Sequence, residues 1–213
     1  MASRDNTTTA YGSVHRTLHW VIALLVIPQL LLGDIMLIAG PHAVPTLTSI
    51  VHPTVGIVIG LLMLGRLYWR RQQNLPGAPK DIGLSGQTLS GFTHGAFYFL
   101  LIVNPVIGYL LSCAAGYPTI LAVIPIPHPF GAAPEFERFM FWLHLLAGVS
   151  IGLLLTLHVL GALSHEFVLR DNVLRRMLGF PAMTAARAER QEQWPAHSPV
   201  PGMEREVLRP GAD

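Results

Sequence analysis

The chain has 213 residues, 51% of them hydrophobic and only 12% charged, with a formal net charge of +2 and a mean hydropathy of +0.47. So few charges cannot cover the surface of a soluble domain of this size, and the composition is that of an integral membrane protein. A single cysteine, Cys113, excludes an intrachain disulfide, a cysteine-built metal cluster and a CxxCH attachment motif, and no nucleotide-binding fingerprint or nucleic-acid-binding motif is present.

Residues 1–12 read as a flexible N-terminal tail, and 13–178 as a membrane domain with four apolar runs, each near the roughly 20 residues that cross a hydrocarbon core. Runs of this kind satisfy their backbone in lipid only as helices. The first, 19–39, follows Arg4 and Arg16, begins at His19, and contains Pro28, which should bend it. It is long for a signal-peptide core and lacks an A-x-A site, so it is read as a retained span. Asp34 lies near its far end. The second run, 52–70, opens on His52 and Pro53, a proline at a tolerated first-turn position, and closes on Arg66, Arg70 and Arg71. The third, 92–112, has His94 near its start and Pro105 inside, where a kink is expected.

The connection 113–137 places Pro118, Pro125, Pro127, Pro129 and Pro134 around the apolar run TILAVIPI, and reads as an irregular loop lying partly in the interface. The fourth run, 138–168, holds His144 and His158. Gly56 with Gly60, and Gly148 with Gly152, form two G-x-x-x-G spacings that allow close helix approach or leave room for a flat group. Trp20, Trp69 and Trp142 fall at run ends, where indoles favour the interface. Residues 179–213 mix Pro, Gly and both charges, and read as a disordered tail with a short helix near 183–193.

Orientation follows from the basic residues flanking the spans. Of the 14 Lys and Arg, all but Arg138 fall on one side of a four-span topology. The positive-inside rule puts that side, and both termini, in the cytoplasm. The fold class is therefore an all-α four-transmembrane-helix bundle with both termini cytoplasmic.

Helix direction then sorts the histidines by depth. His19 and His158 share the inner level, and His52 and His144 the outer one. His144 and His158 are 14 residues apart in one helix, which places them about 21 Å apart along the axis and within about 40° of one face. One helix thus offers a ligand at each level. A lone intramembrane histidine is often only a helix–helix hydrogen-bonding group. Four of them, paired by depth, point instead to ligation, because buried ionisable groups in membranes are expensive and usually functional. Zinc would want three or four clustered ligands at one level. Two imidazoles fill both axial positions of a haem b and leave an electron carrier, so two stacked haems would form an electron path across the bilayer.

The stretches HRTLHWVIALLVI, VHPTVGI, THGAFYFLLIVNPVIG and HVLGALSHEFVLRDNVLRRML resemble the bacterial cytochrome b561 family over residues 11–178, including the H-x13-H spacing and the DN-x-L-x-R-M close. The resemblance implies a four-helix protein with two haem b groups that exchanges electrons with membrane quinone, ubiquinone or menaquinone, some members oxidising superoxide at the outer face. By position it carries the axial ligands over to His19 and His158 for the inner haem, and to His52 and His144 for the outer one. His94 also matches a family histidine, and is open to three roles: a replacement ligand, a quinone hydrogen-bonding group, or a structural residue.

Arg16, Arg66 and Arg70 are candidate partners for inner haem propionates, since guanidinium pairs bidentately with carboxylate, and Arg138 is the candidate on the outer side. Each could equally anchor a helix at the interface. His15 and His165 read as headgroup-facing, with proton delivery to quinone as an alternative. Asp34 is either a helix-end carboxylate reaching water or a hydrogen-bonding support for an axial ring. The outer connection lacks a basic cluster to steer an anion such as superoxide, with Arg138 beside Glu135 and Glu137, although His42, His128 and backbone amides remain.

Three function classes stay open. The first is a quinone-linked cytochrome b passing electrons between an outer donor, superoxide or a periplasmic protein, and quinone. The second is a membrane-anchor electron-transfer subunit for a partner dehydrogenase, hydrogenase or peroxidase. The third is a haem-free transporter whose histidines bind protons or metal.

Overall fold

A computed structural model describes residues 11–40, 46–73, 84–116, 119–121, 124–127, 129–169 and 173–180. Four helices are long and apolar enough to cross a membrane. They are α1 (Ser13–Ala39), α2 (Thr46–Arg71), α3 (Leu84–Ala114) and α4 (Pro134–Ser164). Each begins before the hydropathy run that marks it, because the hydrocarbon window ends before the helix does and polar turns such as TLTS continue it into the interface. One consequence corrects the reading of Pro53. It stands about two turns inside α2 rather than in the first turn, and α1 and α3 likewise run through Pro28 and Pro105.

The helices alternate in direction. One end of the bundle, here the basic end, carries the start of α1 and the close of α2 with Arg66, Arg70 and Arg71. At the other end two three-residue strands, β1 (Thr119–Leu121) and β2 (Ile124–Ile126), pair antiparallel with Thr119 opposite Ile126. This short ribbon, lying against α2, replaces the irregular loop expected of 113–137. Pro125, opposite Ile120, is tolerated because a two-stranded ribbon leaves an edge with no ladder hydrogen bond to lose. The Tyr109 hydroxyl donates to the Pro127 carbonyl, and Ala133 N–H donates to Ala114 O at 2.8 Å, so the ribbon is tied to α3.

Close backbone packing runs α1 on α2, α2 on α3 and α3 on α4. Among the spanning helices α4 packs most closely on α3. The core sits mid-bundle, where Ile22 and Val26 of α1, Ile59 and Met63 of α2, Leu101 of α3 and Ile151 of α4 are buried together. Ile151 lies midway between His144 and His158 in sequence, so this apolar layer divides the two histidine levels. Outward positions such as Leu24, Leu31, Leu61, Phe99, Leu146 and Leu153 are exposed, as lipid-facing side chains are.

α4 continues through a π-helical turn, His165–Leu169, and a short helix α5 (Val173–Leu178) follows. α5 closes on Gly179, whose φ of 88° supplies the left-handed cap that lets Gly179 and Phe180 N–H both donate to Arg175 O. The expected tail 179–213, apart from Gly179 and Phe180, lies outside the described residues, as do 1–10.

Gly60 shows what holds α2 to α3. A Cβ there would meet the Pro105 ring at 3.4 Å and Leu101 O at 3.8 Å. Leu101 O is the carbonyl that Pro105 leaves without its helical donor. Gly65, one turn on, has nothing within 4 Å. Gly60→Val should therefore lower thermal stability in detergent by about 1–3 kcal/mol through overpacking, while Gly65→Val changes it far less; melting curves of the two variants check this.

Candidate functional site

Two imidazole pairs join α4 to α1 and to α2. At the basic end the ring centroids of His19 (α1) and His158 (α4) are 6.1 Å apart with planes at 66°. At the ribbon end His52 (α2) and His144 (α4) are 6.0 Å apart at 78°. α4 supplies one ring to each pair. The Nδ1 atoms of both His52 and His144 are buried without a hydrogen-bond partner, a costly state in an apolar bundle.

That arrangement fits a haem. Imidazole nitrogens bind metals at about 2 Å, so two rings on opposite sides of one iron have centroids about 6 Å apart. Among the described residues no three His, Cys, Asp or Glu side chains gather as a bare metal ion would require. Gly148 and Gly152 of α4 have nothing within 4 Å of a built Cβ.

His52 is held from α1. Gln29 Nε2 donates to the His52 carbonyl at 2.7 Å, through a close approach to Gly56, where a Cβ would stand 3.2 Å from the same nitrogen. His144 lies against α3 beside the Asn104 backbone and Gly108. Neither Gln29 nor Gly108 stood out in the sequence. A signal did exist, for Gly108 follows His94 by 14 residues, just as Gly33 follows His19.

The basic end is crowded. His94 packs edge-on to His158 with centroids 5.6 Å apart, and Phe97 takes the same distance on another side. His94 Nδ1 lies 2.7 Å from Ser90 O. A carbonyl only accepts, so Nδ1 carries the proton and Nε2 is left as the free lone pair. Arg66 and Arg70 place their guanidinium carbons 5.8 and 5.5 Å from the Tyr98 ring centroid. The Nε atoms of Arg16, Arg66 and Arg176 are buried without partners, a concentration of cationic donors, and Glu166 is bonded to Arg175. Such a set calls for an anion.

His15 departs from its reading as a headgroup-facing residue. It is 4% exposed and stacked on Tyr11 at 5.0 Å, because its turn of α1 is covered by the segment after α4. Arg176 of α5 stands 5.6 Å over the Tyr11 ring, Arg16 crowds Gly179, and Trp20 Nε1 donates to Met177 O at 3.0 Å. α5 is thus a strap across the basic end. Arg176 and Tyr11 belong to the cluster, and sequence spacing gave no hint of them because the strap reaches α1 across more than 150 residues of chain.

Arg138 sits differently from its assigned place. Its side chain is 69% exposed and ion-paired with Glu135 at 3.4 Å. Six residues before His144, it lies about 120° around α4 from that ring. Asp34 is also exposed, in keeping with a helix-end carboxylate reaching water. Lys80, His42 and His128 lie outside the described residues.

Comparison with known proteins gives a match of residues 10–180 to the family model described as prokaryotic cytochrome b561. The chain is 29% identical over 183 residues to cytochrome b561 homolog 2 of Escherichia coli K12, covering 83% of this chain and 95% of that protein. It is 29% identical to the probable superoxide oxidase CybB of Yersinia pestis, covering 79% and 95%, and 27% identical to cytochrome b562 of Cereibacter sphaeroides, covering 79% and 94%.

The strap can be tested directly. Trp20→Phe removes the donor to Met177 O, a net loss on the order of 1 kcal/mol. Hydrogen exchange in 173–178 should accelerate severalfold, while exchange in the centre of α2 stays unchanged.

Proposed function

The chain belongs to the prokaryotic cytochrome b561 family, and from that premise we propose that it holds two haem b groups, one by His19 and His158 and one by His52 and His144, and passes electrons between a donor at the ribbon end and membrane quinone at the basic end. Membership makes it a multi-pass electron-transfer protein of the bacterial inner membrane, in agreement with its four spanning helices. The observation that carries the finer reading is the repetition: two imidazole pairs, each about one iron's span apart, both completed by α4.

When bound, haem b would supply a one-electron iron couple, held by His19 and His158 at one end and His52 and His144 at the other. The chain's residues do the rest. Arg16 and Arg66, with buried unpartnered Nε donors, and Arg70 beside Tyr98 are placed to receive propionate carboxylates at the basic end. Arg138 is given no such role, since Glu135 already neutralises it. The apolar layer of Ile22, Ile59, Met63 and Ile151 excludes water between the levels. By the positive-inside rule the basic end faces the cytoplasm.

Quinone is assigned to the basic end through His94. With Nδ1–H fixed on Ser90 O, its Nε2 is presented to a ligand, to accept from a quinol hydroxyl. A second reading has a specific observation behind it: His94 is nearer to His158 than His19 is, 5.6 against 6.1 Å, so Nε2 could instead complete the axial pair. At the ribbon end the donor is superoxide, the substrate in the printed name of the Yersinia relative, or an electron-carrying protein. The pairing of Arg138 with Glu135 favours a donor that does not depend on a free arginine for steering. Quinone turnover by the isolated chain would separate a self-sufficient carrier from an anchor subunit that needs a partner enzyme.

The first experiment is a pyridine haemochrome assay with a reduced-minus-oxidised spectrum on the purified chain; two haems b per chain are expected, and none would return the histidines to proton or metal handling. His158→Ala should remove only the basic-end haem and His144→Ala only the ribbon-end one, each halving haem content; retention of both in either variant defeats the pairing. His94→Ala should keep both haem signals while quinone reduction falls at least tenfold. Loss of a haem in that variant, with His19→Ala retaining both, would transfer the ligand role from His19 to His94.

A further inference from the structure

The interval of 14 residues occurs in all four spanning helices. It separates His19 from Gly33 in α1, His52 from Arg66 in α2, His94 from Gly108 in α3 and His144 from His158 in α4. Because this interval returns to nearly the same face, each helix offers one position to each level. The basic-end set is His19, Arg66, His94 and His158. The ribbon-end set is Gly33, His52, Gly108 and His144. Where α1 and α3 contribute imidazoles at one level, they contribute bare backbone at the other.

Both glycines touch the ribbon-end rings. A Cβ on Gly108 would stand 2.9 Å from His144 Cε1 and 3.3 Å from its Nδ1. The nearer distance is one that real side chains do not reach. A Cβ on Gly33 would stand 3.4 Å from His52 Cε1. Neither glycine is required by its backbone, since the positive-φ glycines among the described residues are Gly40, Gly116 and Gly179. In a regular helix glycine is inferior to alanine, so contact, rather than conformation, accounts for it here.

We propose that Gly108 and Gly33 are positioning residues for the ribbon-end pair: by lacking a Cβ, α3 and α1 let the His144 and His52 rings lie against their backbones and so set where and at what angle the two imidazoles face each other. Gly108 sets His144 directly, and Gly33 trims the other ring. The inference rests on the haem reading, because an axial ring's placement then tunes the iron it binds. At the basic end, with His94 in place of Gly108, no such seat exists, and the two centres are tuned by different means.

The test is Gly108→Ala and Gly33→Ala in the full chain, read by redox titration and by low-spin ferric EPR, whose anisotropy reports the relative orientation of axial ring planes. Gly108→Ala should shift the midpoint potential and the EPR signal of the ribbon-end haem, or lose that haem and halve the content, with the basic-end haem unaltered as an internal measure of correct folding. Gly33→Ala should move the same signals by less, in the order of the two contacts. Gly65→Ala, where nothing lies within 4 Å, should change neither centre. Unaltered ribbon-end signals in Gly108→Ala, or an equal disturbance of both centres in Gly33→Ala, overturn the inference. Should Gly108→Ala fail to fold, Gly33→Ala decides alone, and an unchanged ribbon-end signal there is fatal. A wild-type chain without haem brings down the haem reading itself, whereas two haems with indifferent glycine variants bring down this inference only.

Discussion

The bundle depends on α4 pointing one imidazole at α1 and another at α2. A helix bundle in lipid gains from close packing, and α3 with α4, or α1 with α2, take that gain. α4 packs less closely on α1 and α2, meeting them through Ile151 in the apolar layer and through imidazole pairs whose centroids lie about 6 Å apart. Buried nitrogens left without partners at His52 and His144 are a cost that packing alone would never retain. The two facing ring pairs are the observations that the proposed haems would account for. The mid-bundle apolar layer then acts as a spacer, fixing α1, α2, α3 and α4 at one height so that ring pairs form above and below it.

The two ends use different chemistry on that shared frame. At the basic end the pair is surrounded by His15, His94, Tyr11, Tyr98 and four arginines, under the α5 strap. Cations and hydrogen-bonding groups at that density suit the anions and the quinone of the proposed function. At the ribbon end the His144 and His52 rings lie near Gly108 and Gly33, Gln29 holds the His52 carbonyl, and Arg138 is paired with Glu135. An electron can be exchanged at such an end without a proton-handling apparatus.

Much of this was legible in the residues. Four spans, their alternation and the depth-sorting of His19, His52, His144 and His158 follow from hydropathy, basic flanks and one interval of 14, since helical rise and twist convert sequence spacing into height and face. Helix ends were less legible, because polar turns at Thr46 or Ser13 cost nothing at an interface and hydropathy ignores them. The ribbon at 119–126 was hidden by its prolines, which veto a central strand but not a two-stranded edge. The strap was hidden because Trp20, Tyr11 and Arg16 meet α5 through contacts spanning nearly the whole chain, and no local pattern encodes such a meeting.

The glycines at 33 and 108 mark a further boundary of legibility. G-x-x-x-G spacing draws the eye to Gly56, Gly60, Gly148 and Gly152, where packing rules already have a meaning for small residues. Gly33 and Gly108 belong to no such motif. Their meaning appears only when the interval defined by His144 and His158 is carried over to the neighbouring helices, which presupposes that all four pass the same two levels. In α2 that interval joins a ring to Arg66, and in α1 and α3 it joins a ring to a missing side chain. An absent Cβ is as specific a feature as a ligand when a ring must occupy its place, and the 2.9 Å approach at Gly108 is the measure of that specificity.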